Sequence, residues 1–339
     1  MGPANHQGMS SGRNGSSGSV DGAGKRRGLL SRPWFRLPAL AGLGWVRWCA
    51  VLYAKQDALI YPRHVIGHVP MARPIGQHEE LWLEAGAGAG AREAVRVPAW
   101  LLMPRTVDLR PVPPGGRAPL VVWLHGNAET IDQKAMGDMA DMWRLWGCAV
   151  LLPEYRGYGR AGGSPGEGVI VDDVLRMIDL AAKRPGIDGS RVILYGRSLG
   201  GGVAAQVAQR LQAQGRTPAA LLLHTSFTSV ASFARRYLVP SFVVTSPYRT
   251  DVVLPGLTMP VMVMHGRADT ITPVVHAERL HAMAAGRPGL AAGANVLYVT
   301  GDGHVDFPTD FEAYRKAVRA FVRGNGVLVG VDGRGEGKP

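Results

Sequence analysis

The sequence predicts an α/β architecture, a mostly parallel sheet with helices on both faces. Three observations carry that prediction. Short continuous apolar runs such as Leu120–His125 (LVVWLH) have the pattern of strands buried on both sides. They alternate with segments such as Ile131–Trp146, where Met and Trp recur every three or four residues, as on a helix face. A Gly-rich turn, Gly196–Gly201, then joins an apolar strand directly to a helix.

Taken in order, Glu80–Glu84 and Arg96–Met103 read as an antiparallel pair joined by a Gly/Ala-rich connection. Leu120–His125 is the next strand, and the Ile131–Trp146 helix leads to a strand over Cys148–Pro153. A Gly-rich loop, Tyr155–Gly168, precedes a helix over Val169–Lys183. Asp172 and Asp173 near its start suit the helix dipole. Strand Arg191–Tyr195, helix Gly200–Gln214 and strand Ala219–His224 follow. Strand Val261–His265, helix Val275–Ala285, strand Ala294–Val299 and helix Phe307–Arg323 complete the pattern. Such βαβ alternation implies parallel pairing. The eight strands and their helices form one domain over 58–324. The insertion from Phe227 to Leu257 is short for a lid. Its Phe233, Tyr237, Leu238, Phe242, Val243 and Val244 line an acyl pocket or face the core.

The ends differ from this body. Residues 1–32 are Gly/Ser/Asn-rich with basic punctuation and no apolar periodicity, the composition of a disordered arm. Residues 33–57 hold a dense apolar run, Leu37–Ala54, broken by Arg47. The run falls just short of the roughly 20 residues that span a bilayer. It fits a membrane anchor with its basic arm on the cytoplasmic side, an amphipathic helix, or an export signal lacking a clear cleavage site. Residues 325–339 return to Gly and charge and read as a flexible tail.

The 339-residue chain carries a net charge of +12. Nine Lys and Arg face only Asp21 and Asp57 within residues 1–64, so most of the excess sits around the apolar run. That placement points to an anionic membrane surface and away from nucleic acid. Two cysteines, Cys49 and Cys148, exclude a disulfide framework and a Cys-based metal site.

The chemistry centres on Gly196-Arg197-Ser198-Leu199-Gly200. Between strand and helix, a G-x-S-x-G turn is tight enough to strain the serine and expose its Oγ. Side chains at the two flanking glycines would strike neighbouring backbone. A serine hydroxyl is a poor nucleophile near neutral pH and needs a base oriented by a carboxylate. On such a sheet the chain order is Ser, acid, His. Asp269, in the loop Gly266–Pro273, and His304, in the loop Gly301–His304, stand at the expected places. Asp251 and Asp302 are rival acids. His125, His224 and His265 sit at strand ends as structural residues, while His276 and His281 look like helix-surface positions. The oxyanion needs two preorganised donors. The backbone N–H groups of Leu199 and of Asn127, aimed by Gly126, are the candidates.

The segments HGNAE (125–129), PEYRGYGRAGGSPGE (153–167), YGRSLGG (195–201), HTSFTSV (224–230), HGRADTITP (265–273) and GDGHVDF (301–307) together resemble one subgroup of α/β-hydrolases. That subgroup carries a short N-terminal hydrophobic anchor and includes eukaryotic protein depalmitoylases and uncharacterised bacterial relatives. The resemblance covers roughly residues 50–323. It implies the α/β-hydrolase fold, a Ser198–Asp269–His304 triad and hydrolysis of an ester or thioester without a metal or organic cofactor. The expected partner is a small acyl ester or thioester, possibly lipid-like, met by a membrane-associated protein. The eukaryotic members carry a Cys-rich N-terminal cluster, where this chain has only Cys49 nearby. Two other readings stand beside this one. A peptidase of the same fold would act on amides, and a non-catalytic membrane-attached binding protein would keep the fold alone.

Overall fold

The structure is a computed structural model that describes residues 33–66, 72–86, 95–106, 116–291, 293–306 and 308–328. The arm expected over 1–32 and the chain beyond 328 lie outside those residues. Eight strands form one sheet: β1 (His78–Ala85), β2 (Val95–Leu102), β3 (Ala118–Leu124), β4 (Ala149–Pro153), β5 (Ile187–Arg197), β6 (Ala220–His224), β7 (Val261–Gly266) and β8 (Asn295–Thr300). Their spatial order is β1-β2-β4-β3-β5-β6-β7-β8. β2 pairs antiparallel with both β1 and β4, and all other neighbours are parallel. This is the predicted sheet.

The continuous apolar runs are explained by burial on both faces. In β3, Leu120, Val122 and Leu124 join the core on one side of the sheet, while Val121 and Trp123 join the core on the other. α3 (Glu167–Ala182), α4 (Leu199–Ala213) and α7 (Val275–Ala285) cover the first face through residues such as Val174, Val203 and Leu280. α2 (Lys134–Leu145) and α8 (Phe311–Gly324) cover the second through Met139, Trp143, Val318 and Phe321. Each such large apolar side chain contributes about 1.5–3 kcal/mol on burial. The Asp310 side chain caps α8, accepting from the Ala313 N–H at 2.9 Å, a contact typical of helix starts.

The chain divides into two units, 1–48 and 49–339. The helix α1 (Pro33–Ile60) supplies the described part of the first unit and runs on into the second. Its stretch Leu37–Ile60 is long and apolar enough to cross a membrane, and none of it is buried. The helix continues three residues past the boundary expected at 57, because Lys55-Gln56-Asp57-Ala58-Leu59-Ile60 contains no residue that breaks a helix.

Two features depart from expectation. The flexible tail expected from residue 325 does not begin there, since Val327 and Leu328 are buried against the α2/α8 face of the sheet. Gly326, at φ 69°, makes the turn that returns them to the core. The insertion is built from two four-residue helices, α5 (Ala231–Ala234) and α6 (Thr250–Val253), and three short 3-10 turns. Phe233 packs on Phe227 and His276, whereas Tyr237, Leu238 and Phe242 are exposed. Those three residues therefore do not face the core.

A polar cluster under the sheet adds a pH dependence. The Tyr195 hydroxyl donates to His224 Nδ1 at 2.6 Å and lies 2.7 Å from the Tyr314 hydroxyl. Burial, reinforced by the charge of Arg197, pushes the His224 imidazole down to about 3. An unfolded histidine titrates near about 6.5. Between those values the unfolded chain binds a proton that the folded chain excludes, so stability falls as pH falls through the window. The melting temperature is expected to drop from about pH 7 to about pH 4.5, and to drop less in His224→Asn. Calorimetry at stepped pH checks this.

Candidate active site

The order of strands creates the site. Crossovers leave β3 and β5 toward opposite ends of the sheet, so a crevice opens beyond the C-terminal ends of these two neighbours. The loop after β3 carries Gly126 and Asn127, and the turn after β5 carries Ser198. Ser198 adopts φ 51° and ψ −115° immediately before α4. A non-glycine residue there is strained by about 1–3 kcal/mol. Its N–H donates to the His224 carbonyl at 2.9 Å, and its carbonyl accepts from Ser226 Oγ at 3.1 Å, which hold that conformation. The flanking glycines are required by space. A Cβ on Gly196 would stand 2.2 Å from the Gly200 carbonyl oxygen, and one on Gly200 would stand 2.1 Å from that of Leu124.

The three residues predicted from distant loops come together. His304 Nε2 accepts from Ser198 Oγ at 3.0 Å, and His304 Nδ1 donates to Asp269 Oδ2 at 2.7 Å. Asp269 is 4% exposed, and its Oδ1 takes the N–H groups of Ile271 and Thr272 at 2.9 and 2.7 Å. Burial alone would raise its proton affinity. Hydrogen bonds from His265, His304 and the Thr272 amide outweigh that effect and hold the carboxyl well below its ordinary range. Ser198 itself is only 9% exposed.

The rivals are engaged elsewhere. Asp302 accepts from the Thr309 N–H at 3.1 Å, and Asp251 pairs with Arg249 at 2.8 Å. His125 Nε2 lies 2.8 Å from Glu154, and His265 Nε2 donates to the Thr272 carbonyl at 2.6 Å while standing 3.3 Å from Asp269. His281 is half-buried. His276 corrects the surface reading: it is buried, with Nδ1 3.1 Å from Thr228 Oγ1. The residue that covers it belongs to the insertion, far away in the chain.

Arg197 and Glu129 are the site residues that sequence reasoning missed. Arg197, the first variable position of the G-x-S-x-G turn, forms an ion pair with Glu129 and donates from Nη2 to the His304 carbonyl at 2.9 Å. Glu129 Oε2 in turn accepts from the Gly126 N–H at 2.6 Å. One buried guanidinium thus ties the loop of His304 to the loop of Asn127. No signal in the sequence joins Arg197 to Glu129, because the need of the Arg197 guanidinium for a partner appears only once its burial is known. Asn127 is half-buried and donates from Nδ2 to the Ile60 carbonyl at 3.5 Å. A Cβ on Gly126 would stand 3.6 Å from Ser198 Cβ, so this loop lies against the serine.

Arg197→Met is expected to lower kcat by about a hundredfold, because misplacing reacting groups by an ångström costs that much. It also costs about 3–5 kcal/mol of stability by leaving Glu129 unpaired. Adding Glu129→Gln restores most of the stability and none of the rate, which melting curves and kinetics on both variants would show.

Comparison with known proteins bears on the fold and on the family resemblance. A family model described as serine aminopeptidase, S33, matches residues 117–242. The alpha/beta hydrolase domain-containing protein WAV2 of Arabidopsis thaliana is 29% identical over 261 residues, covering 70% of this chain and 78% of WAV2. An esterase from Pyrococcus furiosus superposes with a TM-score of 0.55 at 16% identity, over 76% of this chain and 97% of the esterase. The sheet is that of the α/β-hydrolase fold, and these similarities support a hydrolase of the α/β-hydrolase superfamily. The lysophosphatidylserine lipase ABHD12 of Danio rerio is 29% identical to this hydrolase over 184 residues, covering 49% of the hydrolase and 47% of ABHD12. The hydrolase therefore spans about half the length of that relative.

Proposed function

We propose that this hydrolase cleaves carboxylic esters or acyl thioesters through a Ser198–His304–Asp269 triad and an acyl-enzyme. The observation that carries the proposal is the unbroken chain from Ser198 Oγ through His304 to Asp269, at 3.0 and 2.7 Å. Ser198 Oγ attacks the acyl carbonyl while His304 Nε2 takes its proton. Asp269 fixes the tautomer with Nδ1–H and stabilises the imidazolium. The backbone N–H groups of Asn127 and Leu199 receive the oxyanion, aided by the N-terminus of α4. His304 then protonates the leaving alkoxide or thiolate. Water, deprotonated by His304, releases the acid and restores Ser198. No metal or organic cofactor takes part, and nucleic acid is not a partner. α1 attaches the protein to a membrane, with the basic arm on the cytoplasmic side.

Ester chemistry is favoured over the aminopeptidase reading of the family model by the insertion. A peptide amine needs a carboxylate at the rim of the site, and residues 227–257 offer only Asp251, already tied to Arg249. The relatives named for lipase and esterase activity point the same way. A graded panel of p-nitrophenyl esters, acyl-CoA thioesters and aminoacyl p-nitroanilides tests the proposal. Turnover of esters or thioesters, absent in Ser198→Ala, is expected, with none of the anilides cleaved. Anilide turnover alone would establish the peptidase, and no turnover at all would leave a binding protein.

A further inference from the structure

We propose that the insertion after β6 is a lipid-docking surface: it rests Tyr237, Leu238 and Phe242 on an anionic membrane, so that Ser198 takes acyl esters or thioesters whose chains lie in that membrane. The inference rests on the ester or thioester reading above and names the source of its substrate.

Exposure is the first support. Leu238 is 76% exposed and Phe242 87%, the largest values among the large apolar residues described outside α1. Leu238 is held outward at φ 55°, a left-handed conformation that leucine rarely adopts. Large apolar side chains this exposed, together on one insertion, mark an interaction surface. Charge is the second. From Phe227 to Tyr248 there is no Asp or Glu, and Arg235 and Arg236 are exposed beside Tyr237 and Leu238. Apolar and aromatic tips flanked by arginine match the interface of an anionic bilayer.

Position is the third and decides the occupant. Gln56, near the end of the stretch long enough to cross a membrane, accepts from the Thr245 N–H at 2.7 Å and donates to the Val243 carbonyl at 3.2 Å. One turn later, the Ile60 carbonyl accepts from Asn127 of the candidate oxyanion loop. The end of an apolar helix, the exposed insertion and the loop against Ser198 therefore share one rim. A helix that leaves a bilayer near Ile60 sets that rim at the lipid surface.

The test uses the full chain reconstituted in phosphatidylcholine vesicles with and without phosphatidylglycerol. Two substrates are compared, a soluble butyrate ester and a long-chain ester dissolved in the bilayer. The variant Leu238→Asn with Phe242→Ser is expected to lose about tenfold in kcat/KM on the bilayer ester and nothing on the soluble one. A loss on neither substrate, or an equal loss on both, overturns the proposal. An environment-sensitive NBD label at Phe242→Cys, with Cys49→Ser and Cys148→Ala, gives a readout independent of activity. Its emission should shift to the blue on phosphatidylglycerol vesicles relative to the same label at Glu312→Cys on α8, which is exposed. Equal emission at the two sites overturns docking. If the unaltered chain cleaves neither ester, the hydrolytic reading falls while the label still decides docking.

Discussion

Ser198→Ala is expected to lower kcat by about a millionfold, the loss typical when a triad nucleophile is removed. The loss is that large because nothing beside the serine can replace it. Thr225 is buried, and its hydroxyl has no hydrogen-bond partner and so no base beside it to take its proton. The Ser226 hydroxyl is spent on the Ser198 carbonyl. Alanine keeps the two backbone bonds that hold residue 198 in its strained turn, so the melting temperature should be nearly unchanged. Residual turnover near that of water-driven hydrolysis, measured at high enzyme concentration, would report what the oxyanion loop contributes alone. A loss of only tenfold would mean that another group attacks the substrate.

Asp269→Asn is expected to cost about ten-thousandfold in kcat while sparing the fold. The amide oxygen of asparagine can still accept the Ile271 and Thr272 N–H groups that Asp269 Oδ1 holds at 2.9 and 2.7 Å. Its NH2 then faces His304 Nδ1, where the carboxylate now accepts at 2.7 Å. A donor at that position forces Nδ1 to accept, so the ring proton moves to Nε2 and His304 can no longer take the serine proton. The carboxyl group of Asp269 is held below its ordinary range, so it stays ionised throughout an assay at neutral or mildly acid pH. The wild-type rate should therefore show no titration of Asp269 there. Kinetics beside melting curves separate the outcomes, because a variant that lost rate by unfolding would lose both together.

The fold was legible because strands buried on both faces leave continuous apolar runs, and each helix between them keeps its own period. The meeting of Ser198, Asp269 and His304, the three residues proposed to react, was legible because the chain order of Ser, acid and His follows from which strand ends meet at the crevice. Contacts between segments far apart in the chain were not. Arg197 and Glu129 stand 68 residues apart, and neither position alone carries a pattern. His276 is followed by Glu278 and Arg279 in VHAERLHAMAA, so its helix face reads as solvent until Thr228 of the insertion is folded onto it. Strand β5 runs from Ile187 to Arg197, longer than Arg191–Tyr195, because its first residues pair with Ala118 and Pro119 before a register shift. Aspartate, glycine and serine at 188, 189 and 190, poor strand formers, conceal that extension. Gln56 is equally silent in sequence, yet it links α1 to the insertion.

Mapping the adduct left by a fluorophosphonate tests the account most directly. After the full chain is inhibited and digested, mass spectrometry should find one phosphonyl group, on the peptide holding Ser198, formed in step with the loss of esterase activity. A phosphonyl group on any other residue, or full activity with Ser198 modified, would contradict the account.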